Sequence, residues 1–231
     1  MSDESQRILV ALAHPDDPEF FCGATLAKWA RQGKEIHYLL LTCGDKGSDS
    51  PDVTPEMLCA DRQAEQRAAA AVIGAKEVLF LNYHDGELVN SLDVRREIVR
   101  AIRRLKPRVI VTCDPTTYIR PIGINHPDHR AAGAAALDAI FPAAGNRMYF
   151  PELLAEELEP HAPKEIWMSV TSEPNLWVDV NETVGIKIAA LLEHKSQIKN
   201  PAELEKRIRD RLRRNDMDGE FYAESFRVIR F

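Results

Sequence analysis

The strongest constraint on this chain is a pair of apolar runs that each give way to a short polar cluster. Ile8-Leu9-Val10-Ala11-Leu12-Ala13 leads directly into His14-Pro15-Asp16-Asp17. Val109-Ile110-Val111-Thr112-Cys113 is followed, after a loop, by His126-Pro127-Asp128-His129. Short continuous apolar runs rich in β-branched residues and bounded by Pro, Asp and Gly predict strands buried on both faces, as in a parallel sheet. Both clusters are then expected just beyond strand carboxyl ends.

The segments between these runs predict alternation of strand and helix. Phe20 to Gln32 has helical character and meets Gly33, a residue suited to a helix stop. Ile36–Thr42 reads as a second strand, Cys43 to Pro55 as a polar loop, and Pro55 to Ile73 as an Ala-rich helix stopping at Gly74. Val78–Leu81 is a third strand, and Leu92 to Leu105 places Leu92, Val94, Ile98, Val99, Ile102 and Leu105 near a 3.6-residue period. Right-handed βαβ crossovers then give a Rossmann-like, doubly wound α/β fold with a mostly parallel sheet flanked by helices. In the strand order 3-2-1-4, strands one and four are neighbours at the point where winding reverses, and such sheets bind ligands in that crevice. The topology therefore brings together clusters more than a hundred positions apart. Beyond Pro142 the pattern is less regular: helices are expected over Phe150 to Glu159, Glu182 to Ile198 and Lys206 to Arg214, and strands over Glu165–Ser169 and Leu176–Val180.

A length of 231 residues with 45% hydrophobic and 29% charged content suffices for one core, so a single domain over residues 1–231 is expected. The net charge of −6 leaves no cationic footprint for nucleic acid or an anionic membrane, which favours small-molecule chemistry. Cys22, Cys43, Cys59 and Cys113 show no CxxC spacing, and neither a signal peptide nor a membrane-spanning apolar stretch is evident. The expectation is a cytoplasmic protein with reduced thiols. Trp29, Trp167 and Trp177 are expected in the core.

Histidine and carboxylate ligands that leave a coordination position open are the usual composition of a catalytic zinc site. His14 and Asp17 stand three residues apart, as do His126 and His129, a spacing that puts each pair on one face if a helix begins there. His37, His84 and His161 stand outside these clusters and are expected to have surface or capping roles. Spacing alone does not settle which residues bind metal. Gly44-Asp45-Lys46-Gly47-Ser48, after strand two, is either a substrate-facing loop or a polar turn.

Ala13-His14-Pro15-Asp16-Asp17-Pro18-Glu19-Phe20, together with Asn125-His126-Pro127-Asp128-His129-Arg130, resembles the LmbE-like, or PIG-L, family of N-acetylglucosaminyl-phosphatidylinositol de-N-acetylases. The resemblance extends over roughly residues 7 to 140. It implies that His14, Asp17 and His129 ligate Zn²⁺, with Fe²⁺ an alternative metal, and that Asp16 is the general base. It further implies that His126 stabilises the oxyanion or protonates the leaving amine, that Asp128 orients His126, and that Arg62 in Arg62-Gln63-Ala64-Glu65 contacts substrate. His194-Lys195-Ser196-Gln197 is similar to a C-terminal element that completes the pocket from the same or a neighbouring subunit, and the family suggests a homo-oligomer.

The implied activity is metal-dependent removal of acetyl from an N-acetylated amino sugar, an N-acetylglucosamine conjugate. A thiol-conjugate amidase on the same site is the nearest alternative. A non-haem Fe(II) oxygenase also uses two His and one carboxylate, but the alternating strand and helix pattern is unlike the all-β scaffold expected of most such enzymes. A non-catalytic sugar-binding module would have no need of Asp16 beside the ligands.

Overall fold

The computed structural model describes residues 6–120, 123–214 and 221–231. The buried run at the start becomes β1 (Arg7–Leu12), followed by α1 (Asp17–Arg31), β2 (Glu35–Thr42), α2 (Pro55–Ile73), β3 (Glu77–Tyr83), α3 (Leu92–Leu105) and β4 (Val109–Cys113). A small hairpin, β5 (Ile119–Arg120) and β6 (Gly123–Ile124), precedes α4 (Pro127–Asp138). The rest comprises α5 (Glu152–Ala155), β7 (Glu165–Ser169), β8 (Leu176–Asp179), α6 (Val184–Leu191), α7 (Pro201–Leu212) and β9 (Ala223–Arg230).

The main sheet has seven strands in the order β3-β2-β1-β4-β7-β9-β8. The first five run parallel, with Val10 of β1 registered on Tyr38 of β2 and on Val111 of β4. β9 lies antiparallel between β7 and β8. The predicted order 3-2-1-4 and the doubly wound α/β class are thus both present, and β1 and β4 are neighbours.

Successive strand residues point to opposite faces, so each buried run feeds two cores. Leu9, Leu39 and Ile110 pack with Ile98 and Ile102 of α3 and Ala132 and Ala135 of α4. Val10, Leu12, Tyr38 and Val111 pack with Leu26 of α1, Ala69 of α2 and Phe226 of β9. Gly33 and Gly74, the expected stops of α1 and α2, take φ of +84° and +89°, a conformation glycine adopts at little steric cost.

Several expectations are corrected. α1 begins at Asp17 rather than Phe20, because Pro18 falls in its first turn, where a missing N–H is harmless. The helix expected over 182–198 is confined to Val184–Leu191, and that expected over 150–159 to Glu152–Ala155. The irregularity after Pro142 has a physical basis: the buried Arg103 guanidinium donates to the carbonyls of Ala143, Ala144, Asn146 and Tyr149, and so organises a loop that has few backbone partners of its own. Trp29 and Trp167 do pack edge to face in the core, whereas Trp177 is 45% exposed on β8. The four thiols are not all reduced. Cys43 and Cys59 form a disulfide with Cα atoms 5.1 Å apart, a proximity created by the fold and invisible in their spacing. Among the described residues no helix is long and apolar enough to cross a membrane.

Candidate active site

The turn after β1 sets the geometry of the first cluster. Asp16 caps α1 from the left-handed region, with φ of 96°, which is uncommon for a residue with a side chain and occurs where surrounding contacts over-determine it. Those contacts are specific. Asp16 N–H donates to Gln66 Oε1 at 2.8 Å, and Asp16 Oδ2 accepts from Arg62 Nη2 at 3.1 Å. Arg62 is itself buried and also donates to the carbonyls of Pro15 and Gly44.

His14 and Asp17 close on one another through the His14 N–H, which donates to Asp17 Oδ2 at 2.8 Å. The second cluster enters from the start of α4, next to β4. There His126 is the N-cap, its Nδ1 accepting from the Asp128 N–H at 3.2 Å. His129, one turn into the helix, reaches across to Asp17, with Nε2 at 3.1 Å from Oδ1, and Phe21 packs edge-on against its ring at 5.1 Å. His14, Asp16, Asp17, Arg62, His126 and His129 all line one pocket of about 330 Å³.

The hydrogen bonds around each ring leave one nitrogen directed at Asp17. His14 Nε2 meets Asp85 Oδ1 at 3.1 Å and Asp128 Oδ2 at 3.2 Å, while its Nδ1 lies 3.4 Å from Asp17 Oδ2. His129 Nδ1 meets Asn125 Oδ1 at 3.1 Å, leaving Nε2 beside Asp17. Carboxylate or carbonyl oxygens on the far nitrogen are the usual way to fix a metal-binding imidazole. The two separations run to different oxygens of Asp17, Oδ2 from His14 at 3.4 Å and Oδ1 from His129 at 3.1 Å, so one carboxylate faces both rings. His14 Nδ1, the Asp17 carboxylate and His129 Nε2 are donors of the types that hold a divalent cation. Among the described residues two groupings have donor atoms within 4.8 Å of one another, His14 with His126 and His129, and His14 with Asp85, His126 and Asp128. His126, common to both, opens to the pocket with 39% of its side chain exposed, whereas Asp17 is buried between the His14 and His129 rings.

Burial and charge set the protonation of these groups. Burial pushes Asp16 up to about 6, against the opposing pull of Arg62. Burial would raise Asp17 too, but the neighbouring His129 and His14 hold it far below the usual carboxylate range. Burial lowers His14, yet its bonds to Asp128, Asp17 and Asp85 outweigh that and hold it well above the ordinary value. Burial and the adjacent His14 and His129 depress His126.

The structure changes one expected role and adds residues. Among the described residues the Asp128 carboxylate forms no hydrogen bond or ion pair with His126, although their donor atoms lie within 4.8 Å. It is buried against His14 and accepts from the N–H groups of Gly86 and Leu88. The carboxylate nearest His126 Nε2 is Asp85 Oδ1, at 3.7 Å. Asp85 follows β3, so the strand-end argument applied to the third strand would have found it. Glu19, Gln66 and His194 were not expected together. Glu19 Oε2 accepts from Gln66 Nε2 at 3.0 Å and lies 3.2 Å from His194 Nε2, so a buried polar layer supports Gln66 and, through it, Asp16. Of the loop over 44–48, Gly47 lines the pocket, and its carbonyl accepts from Gln197, which also lines it. The His194–Gln197 element thus serves the site from the same chain. His84 pairs with Asp45 on the exposed side, and His161 with the Pro107 carbonyl.

Residues 9–140 match the family model described as PIG-L, GlcNAc-PI de-N-acetylase. The chain belongs to the PIG-L family. Diacetylchitobiose deacetylase of Thermococcus kodakarensis is 30% identical, covering 98% of this chain and 84% of that protein. A probable N-acetyl-alpha-D-glucosaminyl L-malate deacetylase of Bacillus anthracis is 27% identical over 83% of this chain and 81% of its own length. Among solved structures, N,N'-diacetylchitobiose deacetylase from Pyrococcus horikoshii, complexed with its inhibitor MPG, superposes with a TM-score of 0.89 at 27% identity, covering 98% of this chain and 84% of that one. This PIG-L protein is an enzyme of the N-deacetylase type, a hydrolase of amide C–N bonds.

Proposed function

We propose that this protein is a zinc-dependent hydrolase that removes the acetyl group from an N-acetylglucosamine conjugate. The observation that carries the reading is the convergence of His14, Asp16 and Asp17 from the end of β1 with His126 and His129 from the start of α4 in one pocket. The deacetylases among its relatives give the substrate class.

An amide is a poor electrophile with a poor leaving group, so its hydrolysis needs an activated water, a stabilised oxyanion and a proton for the departing nitrogen. A divalent cation held by His14, Asp17 and His129 supplies Lewis acidity, enough to bring the pKa of water to about 7 when the ion is zinc. Asp16 takes the proton of the attacking water. Arg62 holds one of its oxygens, so the carboxylate is fixed in place while the other oxygen does the chemistry. His126, at the open side of the pocket, donates its proton to the leaving amine or places positive charge by the oxyanion, with Asp85 facing it. Asp128 and Asp85 fix the His14 ring, and Asn125 fixes that of His129. Ferrous iron suits the same donors.

The test is amine release from N-acetylglucosamine, diacetylchitobiose and inositol or malate conjugates, using protein stripped of metal and then given Zn²⁺ or Fe²⁺. Metal-dependent release from any of these is the expected result. Asp16→Asn should retain metal and lose about 10²- to 10⁴-fold in kcat. Full turnover by that variant would remove Asp16 as the base, and metal binding without reaction on any sugar would move the substrate to another class of amide.

A further inference from the structure

A second cavity, of about 350 Å³, lies next to the catalytic pocket, and Phe20 and Phe21 line both. Phe21 presses its ring against His129 on one side and borders the second cavity on the other. A ligand whose acetamido group sits at the catalytic cluster can thus continue past these two rings.

The charge in this cavity is one-sided. Lys187 Nζ donates to Glu224 Oε1 at 2.6 Å and to the Phe20 carbonyl at 2.9 Å, and Glu224 also accepts from the N–H groups of Ala24 and Thr25. Lys187 and Glu224 cancel, and their side chains are 2% and 1% exposed. Arg120 and Arg211 remain, and among the described residues neither guanidinium has a hydrogen bond or an ion pair. Asp114, the nearby carboxylate at the end of β4, is occupied by Thr116, Thr171 and Arg227. Arg31 and Arg207 also lack such partners, but Arg120 and Arg211 line one cavity together, in a chain of net charge −6. Arg211 is exposed where it lines the cavity and feels the like charge of Arg120, so the pair carries a repulsion that a bound anion relieves. Guanidinium forks match the paired oxygens of carboxylate and phosphate, the geometry in which arginine outperforms lysine.

We infer that this cavity is a second subsite, in which Arg120 and Arg211 receive an oxyanion, carboxylate or phosphate, carried on the part of the substrate beyond its acetamido sugar. The inference rests on the deacetylase reading and narrows it to conjugates with an anionic aglycone.

The test compares free N-acetylglucosamine with its malate conjugate and its 1-phosphate, on metal-loaded wild type, on Arg120→Gln/Arg211→Gln and on Arg120→Lys/Arg211→Lys. Binding by calorimetry is read alongside kcat/KM. The wild type should favour at least one anionic conjugate over the neutral sugar by tenfold or more. The Gln pair should lose about tenfold of that ratio, and the Lys pair, which keeps charge without the fork, should fall between. An anion bound only at the metal centre would give the same ratio in all three proteins and would overturn the subsite, as would equal treatment of neutral and anionic sugars by the wild type. A preference for malate or for phosphate identifies the oxyanion. If no sugar is deacetylated the hydrolase reading fails, while the difference in calorimetric affinity between wild type and the Gln pair still decides for or against the cavity.

Discussion

At position 44 a side chain has nowhere to go. Gly44 takes φ of +67°, and the place of a Cβ is filled by the Arg62 guanidinium, which donates to the Gly44 carbonyl at 3.0 Å. Gly44→Ala should therefore displace Arg62 and release Asp16 from its fixed oxygen. Misplacing a reacting group by about 1 Å can lose on the order of 10²-fold in rate. We expect a fall of that size in kcat with metal content unchanged, measured by steady-state kinetics and elemental analysis; a variant with normal kcat would show that Arg62 can move without Asp16. At this scale the sequence was informative where chemistry sat next to a strand end. His14, Asp16, Asp17, His126 and His129 could be singled out because each cluster ends or follows a buried run. Glu19, Gln66 and His194 could not, since Glu19 meets its partners at sequence separations of 47 and 175 and no local pattern marks a buried polar layer. Asp128 is legible in the second cluster but its bonds to His14, Gly86 and Leu88 are not, because adjacency in sequence to His126 says nothing about where its carboxylate turns.

α4 carries both His126 and His129, so its seat against the sheet fixes half of the site. That seat is Gly133, where an added Cβ would meet the Cys113 carbonyl carbon and the Pro115 ring at 3.1 Å, as well as the Cys113 oxygen. Backbone cannot swing aside as a flexible side chain can. Gly133→Ala should push α4 off β4, destabilise the fold by about 1–3 kcal/mol as an overpacked core does, and weaken metal retention. Urea unfolding and a competition assay with a chelator would measure both, and an unchanged chelator midpoint would mean that the helix tilts without moving its first turn. The first four strands and first three helices were legible from apolar runs and glycine stops. β9 was not expected, since Glu224, Arg227 and Arg230 give it the look of a surface segment. Glu224 can be buried because Lys187, 37 residues earlier, neutralises it and the N–H groups of Ala24 and Thr25 donate to it.

The whole molecule is tied together at the layer beneath the site, where His194, beyond α6, meets Glu19 of α1. Burial lowers the His194 pKa, but Glu19, with Asp16 and Glu65, outweighs it and leaves the value raised. A group with a raised folded pKa stabilises fully below its unfolded value, near 6.5, and loses that contribution as pH climbs through the folded value. His194→Gln should thus lower the thermal midpoint more at pH 6 than at pH 9. Equal losses at both would mean that His194 is uncharged in the fold. The order of strands has a separate consequence for how the molecule is assembled during synthesis. β9 is inserted between β7 and β8, pairing with both. While the ribosome is still making residues 180–222, β7 has a bare edge, β8 has no neighbour to pair with, and Lys187 awaits its carboxylate. The parallel half that carries the catalytic clusters can form early, but the wall shared with the second cavity closes only when the final strand is threaded into place, leaving a nascent chain whose chemistry is in place before its enclosure.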